Sequence, residues 1–159
     1  MTLTRLQSAI GALTIEALHS DAVGDLRIGC AYQLRSGRST LARPNSTAAV
    51  ALDPHGRVVI DLRQSRDIVR LLVFGFSPSR VELRWGGTLV VTTFGGAKVE
   101  LPLERAASSG VVVFLSLYNV RGEFVLRAEM DDVSGSVRDA CRAFGYERIT
   151  WLDDRTPVD

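Results

Sequence analysis

The stretch that decides the fold is GVVVFLSLYNVRGEFVLRAEMDDVSGSVRDACRAFG, which runs from Gly110 to Gly145. It begins with the most apolar strand candidate of the chain, residues 110–118, and Arg121-Gly122 then supplies a turn. Residues 123–129 contain aromatic and β-branched side chains and predict a second strand, so the first part of the stretch predicts a β-hairpin. A short amphipathic helix is predicted to follow this hairpin.

The helix is predicted over residues 133–144, because apolar residues recur there at the spacing of one helix face: Val133, Val137, Ala140, Cys141 and Phe144. Asp131, Asp132 and Ser134 are its candidate capping residues. Gly145 suits the left-handed position after the last turn. We expect Val137, Cys141 and Phe144 to pack against a sheet. If Phe144 is fully buried, Phe144→Ala should cost ~3–5 kcal/mol of stability.

Alternating and β-branched runs upstream of this stretch predict further strands. Residues 68–76 are apolar almost throughout and predict a central strand, whereas the weak alternation of residues 13–18 predicts an edge strand. Residues 26–34 alternate with period two and predict a half-buried strand with Ile28, Cys30 and Tyr32 on its apolar face. The other predicted strands are residues 57–62, 80–85, 88–94, 97–103 and 148–152. Residues 40–51 show no pattern that assigns them.

Two Gly-Gly pairs, Gly86-Gly87 and Gly95-Gly96, predict tight hairpin turns, since glycine tolerates the positive φ of a primed turn. They would join residues 80–85, 88–94 and 97–103 into a meander. Trp85 ends the first of these strands on its apolar face, so we expect it to lie in the core.

Many short strands, glycine-rich corners and one late helix predict a mainly β fold: a two-sheet antiparallel β-sandwich with one short C-terminal α-helix. With 159 residues, the chain has the length of a single domain with a substantial core, which we assign to residues 1–159. The sequence shows no alternation of strands and helices that would indicate a parallel sheet.

Composition and charge exclude several classes of protein. The formal net charge is +1, and acidic residues interleave the densest arginine segment, so no nucleic-acid-binding surface is predicted. No apolar run reaches ~18 residues, and the N-terminus does not read as a signal peptide, so we expect a cytoplasmic protein without a transmembrane segment. Cys30 and Cys141 lie among apolar neighbours and are predicted to be inert core thiols rather than a redox pair.

Candidate catalytic and metal-binding groups are few. The only histidines are His19 and His55, and the sequence identifies no nucleophile or carboxylate that would partner either one. His55 lies in a Pro-His-Gly turn and is predicted to face solvent. We interpret Asp131-Asp132 as helix caps and Asp153-Asp154 as a solvated tail. The sequence therefore predicts a protein that is not an enzyme. The alternative, an enzyme on this fold, would need a cleft with a strongly shifted acid or base.

The order of residues in the last third resembles the TerD family of tellurium-resistance proteins, which are bacterial stress proteins. The resemblance covers about residues 59–145, and it rests on these positions: Ile60-Asp61-Leu62, the strand at 68–76, Leu117-Tyr118, Arg121-Gly122, Phe124, Arg127 and Phe144-Gly145. It implies a calcium-binding β-sandwich with a role in stress resistance. It also implies other stress-resistance proteins as partners, and membrane association through such partners. The sequence itself does not indicate an oligomeric state.

The calcium ligands that the resemblance implies are incomplete in this chain. The early Asp-Leu-Asp-Ala-Ser motif of the family reads Asp25-Leu26-Arg27-Ile28-Gly29, so only its first aspartate is present. In the loop before residue 57, Asn45 and Asp53 stand where the family has several acidic residues. Calcium takes ~6–8 oxygen ligands, so Asp25, Asn45 and Asp53 predict a degenerate site in which Arg27 replaces the metal. The resulting hypothesis is a binding or scaffold module. The alternative is a functional calcium sensor that completes its ligand shell with backbone carbonyls.

Overall fold

The computed structural model describes residues 11–157, which form two β-sheets and one α-helix. Short 3₁₀ helices lie at Asp21–Val23 and Leu62–Asp67. The α-helix, α1, spans Val137–Ala143. The strands are β1 Ala12–Leu18, β2 Arg27–Leu34, β3 Ser39–Leu41, β4 Arg43–Pro44, β5 Val50–Leu52, β6 Val58–Asp61, β7 Ile68–Phe76, β8 Thr88–Thr92, β9 Lys98–Pro102, β10 Val111–Val120 and β11 Glu123–Val133.

The strands form a six-stranded sheet with the order β4-β5-β6-β1-β8-β9 and a five-stranded sheet with the order β11-β10-β7-β2-β3. The described strand pairs are antiparallel except β4–β5, which is parallel. This arrangement confirms the predicted two-sheet antiparallel β-sandwich with a short C-terminal helix. The two strands predicted to be central, β7 and β10, are neighbours inside the five-stranded sheet.

One apolar core fills the space between the sheets. Alternate residues of β1, β6 and β8 supply it from the six-stranded sheet, among them Leu13, Ile15, Val58, Ile60, Leu89 and Val91. The facing residues of the five-stranded sheet include Ile28, Cys30, Tyr32, Leu71, Val73, Phe114 and Leu117. Trp85 belongs to this core, as predicted, and its Nε1–H donates to Ser108 Oγ at 2.8 Å. Burial of these side chains is the main driving force for association of the sheets.

A second core covers the outer face of the five-stranded sheet. Helix α1 and the segment after it pack Val137, Ala140, Cys141, Tyr146 and Ile149 onto that face. This second layer corrects the prediction for residues 26–34. The expected apolar face of β2 is buried between the sheets, but Gly29 and Ala31 on the opposite face are buried as well. Gly29 has no room for a side chain there, because a Cβ would lie 2.6 Å from the ring of Phe74.

The helix is shorter than the sequence predicted, and Asp131, Asp132 and Ser134 do not cap its N-terminus. Ser136 forms a capping box with Asp139, in which each side chain accepts a hydrogen bond from the backbone N–H of the other residue. Residues 131–133 belong to β11, because pairing with β10 extends the hairpin beyond Glu129. Val137 and Cys141 are buried as expected, but Phe144 is only half-buried. The predicted cost of Phe144→Ala assumed full burial and therefore does not apply.

The hairpin predicted around Gly86-Gly87 is wrong. Residues 80–85 form no strand, and their only described ladder contact is the isolated bridge Leu83–Ser108. Strand β8 pairs with β1 and β9 instead. Gly87 is required for a tertiary reason, since a Cβ there would overlap the carbonyl oxygen of Leu18 at the end of β1. The alternation of residues 80–85 thus reflects a loop that buries Leu83 and Trp85 without forming a sheet.

Three other sequence expectations are corrected. The segment predicted as an edge strand is β1, which lies inside the six-stranded sheet between β6 and β8. The unassigned residues 40–51 contribute to β3, β4 and β5. Residues 148–152 form no strand, and Trp151 makes only an isolated bridge with Pro157.

Other turns with local glycine signals lie at the positions that the sequence predicted. Arg121-Gly122 joins β10 to β11 with positive φ at both residues, 54° and 86°. Gly95-Gly96 lies in the β8–β9 connection, as expected, but the loop spans residues 93–97 and only Gly96 of the pair has a positive φ, 88°, so the predicted two-residue primed turn is wrong. Gly145 follows the helix with φ of 83°. Across residues 11–157, no helix combines the length and apolar composition that a membrane-spanning segment requires.

Candidate functional site

The three predicted metal ligands lie just outside the ends of strands and do not form one group. Asn45 follows β4 and Asp53 follows β5, and both line a surface concavity of about 540 Å³. Asp25 precedes β2 and is not part of that lining. Arg27, the first residue of β2, does line the concavity. The fold therefore brings Asn45 and Asp53 together with Arg27, while Asp25 lies to one side.

The Asp53 carboxylate is used by its own turn. Oδ1 accepts hydrogen bonds from the backbone N–H groups of His55 and Arg57, each at 2.9 Å, and Oδ2 accepts from Arg57 Nε at 2.5 Å. The turn connects β5 to β6, so these bonds close a hairpin. Desolvation acts to raise the pKa of Asp53, but the hydrogen bonds from Arg57 and His55 outweigh it and lower the pKa below its ordinary value. Asp53 is thus an ionised turn residue with both oxygens engaged.

Asp25 contacts residues outside the Asp53 turn. Its Oδ2 accepts a hydrogen bond from Ser79 Oγ at 2.9 Å, and its Oδ1 lies 3.6 Å from Arg27 Nε. The side chains of Arg27 and Asp25 are 65% and 38% exposed, so solvent screens this ion pair. The hypothesis that Arg27 pairs with an aspartate of the site is confirmed for Asp25. The main contact of Asp25, however, is a hydroxyl group from the loop after β7.

The side chains of the concavity do not suit calcium. Its acidic residues are Glu16 and Asp53, and they are matched by the cations Arg27 and Arg57. Within residues 11–157, no group of three or more His, Cys, Asp or Glu side chains lies close enough to hold a metal ion. Asn45 adds one amide oxygen, and its φ of 55° is one that asparagine adopts readily. This donor set falls short of the several carboxylates that calcium requires, and its two guanidinium groups would repel a divalent cation.

Within residues 11–157, neither histidine is paired with a side chain that could act with it in catalysis. His55 is exposed in its turn, as the sequence predicted. The ring of His19 is also exposed, and its Nδ1 lies 3.0 Å from the Ser20 carbonyl oxygen. Both residues line the same concavity as Asp53. Neither imidazole forms a described hydrogen bond with a side-chain nucleophile or carboxylate.

Both cysteines are free and buried, as predicted. Cys30 lies between the sheets, and Cys141 lies on the face of helix α1 that packs against the five-stranded sheet. Burial raises the pKa of both thiols, to about 12 for Cys141. A thiol that stays protonated and shielded is a poor nucleophile.

The paired acidic residues have structural partners that the sequence did not indicate. Asp132 does not cap the helix; its carboxylate binds Arg105 Nη2 at 2.6 Å. Asp154 is not simply a solvated tail residue, because it is half-buried and binds Arg80 Nη2 at 2.8 Å. Asp153 accepts hydrogen bonds from the backbone of Arg155 and Thr156 and thereby closes a turn.

Sequence reasoning missed two residues that determine the state of this site, Arg57 and Ser79. The spacing of Asp53 and Arg57, four residues apart across a Pro-His-Gly turn, is a local signal that could have indicated their pairing. No local signal links Ser79 to Asp25, because 54 residues separate them.

Comparison with known protein families finds no family model that matches this chain, and comparison with curated proteins finds no matching relative.

Proposed function

We propose that this chain is a non-catalytic binding module of the TerD-like stress-protein type, in which aspartate–arginine pairs stand in place of a calcium site. The two-sheet sandwich with a short C-terminal helix supports the proposal, since it is the fold that the resemblance implies. Exposed histidines and buried thiols support the non-catalytic part, because neither set provides an activated nucleophile or a general base.

The observation that carries the proposal is the engagement of the Asp53 carboxylate. Both of its oxygens are hydrogen-bonded within the turn, and the closest donor is the Arg57 guanidinium. A calcium ion that coordinated this carboxylate would lie next to a guanidinium attached to the same turn, which would repel it. Arg27 holds a similar place next to Asp25, so both aspartates of the expected site have an arginine partner.

Calorimetric titration with calcium chloride tests the proposal. We expect no saturable binding by the unmodified protein and no rise in melting temperature at millimolar calcium. A protein that binds calcium would gain ~2.7 kcal/mol of stability at one hundred times its dissociation constant. Saturable binding with micromolar affinity would overturn the proposal in favour of the calcium-sensor alternative.

A variant tests whether arginine is what excludes the metal. Arg27→Asp removes a cation from the concavity and adds a carboxylate, so we expect weak calcium binding to appear. Arg66→Asp makes the same change of charge at an exposed residue of the 3₁₀ helix outside the concavity, and it should not bind calcium. If Arg27→Asp and Arg66→Asp bind calcium equally, or if neither binds it, the hypothesis that Arg27 replaces the metal is wrong.

The proposed role in stress resistance needs a separate test in cells. By the resemblance, the partners are other stress-resistance proteins of the cytoplasm, some of them in membrane-associated complexes. We expect expression of the chain in a tellurite-sensitive bacterial strain to raise survival on tellurite. Survival equal to that of the empty-vector strain would contradict the stress assignment while leaving the calcium result intact.

A further inference from the structure

A second cleft, of about 360 Å³, lies where the end of β7, the start of β10 and helix α1 meet. Three arginines line it, Arg80, Arg138 and Arg155, and we call it the arginine cleft. It is separate from the concavity at Asp53, with which it shares only Phe76 among the lining residues. Its lining contains none of the predicted calcium ligands Asp25, Asn45 and Asp53.

Arg138 carries a buried hydrogen-bond donor that has no acceptor. Its backbone N–H donates to the Asp154 carbonyl oxygen at 2.9 Å, which ties the helix to the C-terminal segment. Its side-chain Nε is buried and has no hydrogen-bond partner. Buried polar groups in native proteins are nearly always hydrogen-bonded, and a charged donor left without an acceptor is costly. The cleft thus contains a cationic donor that lacks an acceptor.

The nearby carboxylates are already engaged. Asp154 binds Arg80 Nη2 at 2.8 Å, and Asp139 accepts the hydrogen bonds of the capping box from Ser136. Three guanidinium groups therefore share a cleft with two carboxylates, and each of those carboxylates has another partner. Together these five groups carry a formal net charge of +1, which favours an anionic ligand.

Arg80 and Arg155 are placed at the same cleft by specific backbone features. Arg80 has a φ of 60°, which is uncommon for a residue with its side chain, and its N–H donates to the Ser77 carbonyl oxygen at 3.1 Å. Arg155 donates one of its five N–H groups, from Nη1, to the Pro78 carbonyl oxygen at 2.7 Å. Strained backbone conformations of this kind concentrate at functional sites.

An apolar cavity of about 560 Å³ adjoins the arginine cleft. Phe76, Val137 and Arg155 line both spaces, so the two are neighbours along one wall. The rest of the apolar lining includes Ile28, Leu41, Leu52 and Phe74. A ligand that filled both spaces would need a charged end and an apolar end.

We propose that the arginine cleft binds a phosphate monoester with an apolar organic group. The phosphate accepts hydrogen bonds from Arg138 and from the guanidinium groups of Arg80 and Arg155, and the organic group enters the adjoining apolar cavity. Guanidinium groups bind phosphate oxygens in pairs and with charge-assisted hydrogen bonds, which suits a dianion better than a neutral ligand. Ser109, exposed at the same cleft, adds a hydroxyl donor.

Calorimetric titration with three probes tests both halves of the proposal: phenyl phosphate, inorganic phosphate and phenol. We expect phenyl phosphate to bind about tenfold more tightly than inorganic phosphate, and phenol to show no saturable binding. Absence of phenyl phosphate binding would overturn the proposal. Equal affinity for phenyl phosphate and inorganic phosphate would overturn the assignment of the apolar cavity.

Two matched variants locate the site. Arg138→Gln should weaken phenyl phosphate and inorganic phosphate by about tenfold each, because it removes the donor that lacks an acceptor. Arg142→Gln removes the same charge from an exposed position of the same helix that does not line the cleft, and it should bind like the unmodified protein. Equal losses in the two variants would contradict a specific cleft.

Further variants separate binding from folding and divide the ligand between the two spaces. If Arg138→Gln does not fold, Arg155→Gln replaces it, because Arg155 is exposed and its removal leaves the helix intact. Arg155→Gln should also weaken both phosphates, and unchanged affinity would overturn the assignment. Leu52→Ala should weaken phenyl phosphate while leaving inorganic phosphate unchanged, since Leu52 lines the apolar cavity and not the arginine cleft. A parallel loss for inorganic phosphate would contradict the division of the ligand between the two spaces.

Discussion

Arg70 should hold the end of the helix against the five-stranded sheet, and Arg70→Met tests this. The residue belongs to β7, and its guanidinium donates from Nη1 to the Phe144 carbonyl oxygen at 3.0 Å and from Nη2 to the Gly145 carbonyl oxygen at 2.8 Å. Nε donates to Gln33 Oε1 at 2.8 Å. The guanidinium carbon also lies 4.1 Å above the ring of Tyr146, which is buried in the second core. One side chain thus binds β2, the helix terminus and the segment that follows.

The expected magnitude follows from these contacts. A hydrogen bond from a charged donor contributes ~1.5–3 kcal/mol when buried. Because Arg70 is only half-buried, water can reach the carbonyl oxygens in the variant, so we take ~1 kcal/mol for each of the three bonds. The stacking on Tyr146 adds ~0.5 kcal/mol at a half-exposed site. Methionine keeps the apolar stem, so Arg70→Met should lower the free energy of unfolding by about 2–4 kcal/mol.

Urea unfolding followed by circular dichroism measures the loss. Arg127→Met is the matched control, because Arg127 is 70% exposed and its nearest acid is Glu129 at 3.5 Å. We expect the control to cost under ~0.5 kcal/mol. Hydrogen exchange should also quicken at the amides of the helix in Arg70→Met, because its C-terminal carbonyl contacts are lost. A loss below ~1 kcal/mol, or one equal to that of the control, would show that Arg70 does not hold the helix.

Three other outcomes are expected. Gly75→Ala should lower the free energy of unfolding in urea by ~1–3 kcal/mol, because a Cβ would lie 2.8 Å from Cε2 of Phe114. Gly95 has open space around it, so Gly95→Ala should cost under ~0.5 kcal/mol. Equal costs would show that the ring of Phe114 does not restrict residue 75. Asp53→Asn should lower the free energy of unfolding by ~1 kcal/mol at pH 7. The folded state lowers the pKa of Asp53 below 3.8, so the ionised carboxylate stabilises the fold at pH values above 3.8 and the contribution is lost as the pH falls through the folded pKa. The difference between the two proteins should therefore vanish at lower pH, and a pH-independent difference would refute this. Burial raises the pKa of the Cys141 thiol from 9.0 to about 12, so the protonated thiol stabilises the fold fully below pH 9.0 and this contribution is lost as the pH rises toward 12. The thiolate fraction of Cys141 at pH 8 is then ~1000-fold lower in the native chain than in urea, and the native thiol should react with a disulfide reagent slower by about that factor; fast labelling would contradict this.

Parts of the structure that depend on neighbouring residues could be predicted from the sequence. The β10–β11 hairpin has its strands and its Arg121-Gly122 turn within one continuous stretch, so alternation and turn chemistry were sufficient. The same holds for the position of the turn at Gly95-Gly96 and for the glycine that ends the helix. In each case the residues that make the contacts are close in the chain, and their conformational preferences act before any packing is decided.

The errors at residues 80–85 and at β1 arise because pairing partners far apart in sequence override local pattern. The alternation of residues 80–85 resembles that of a strand, yet β8 pairs with β1 instead, about 75 residues upstream in the register. The helix was predicted to begin too early because pairing with β10 keeps Val133 in β11. The segment at β1 seemed too weakly patterned for an interior strand, but it is paired on both sides.

For the candidate site, the sequence by itself determined which groups are present: three ligand-type residues, Asp25, Asn45 and Asp53, and the cation Arg27 among them. The tertiary structure decided what those groups contact, because it assigned Asp25 to Ser79 across 54 residues. It also gathered Arg80, Arg138 and Arg155 into one cleft from three separate segments. Composition and local pattern follow from the order of residues, whereas charge compensation depends on distances in space that only the packed sheets and helix define.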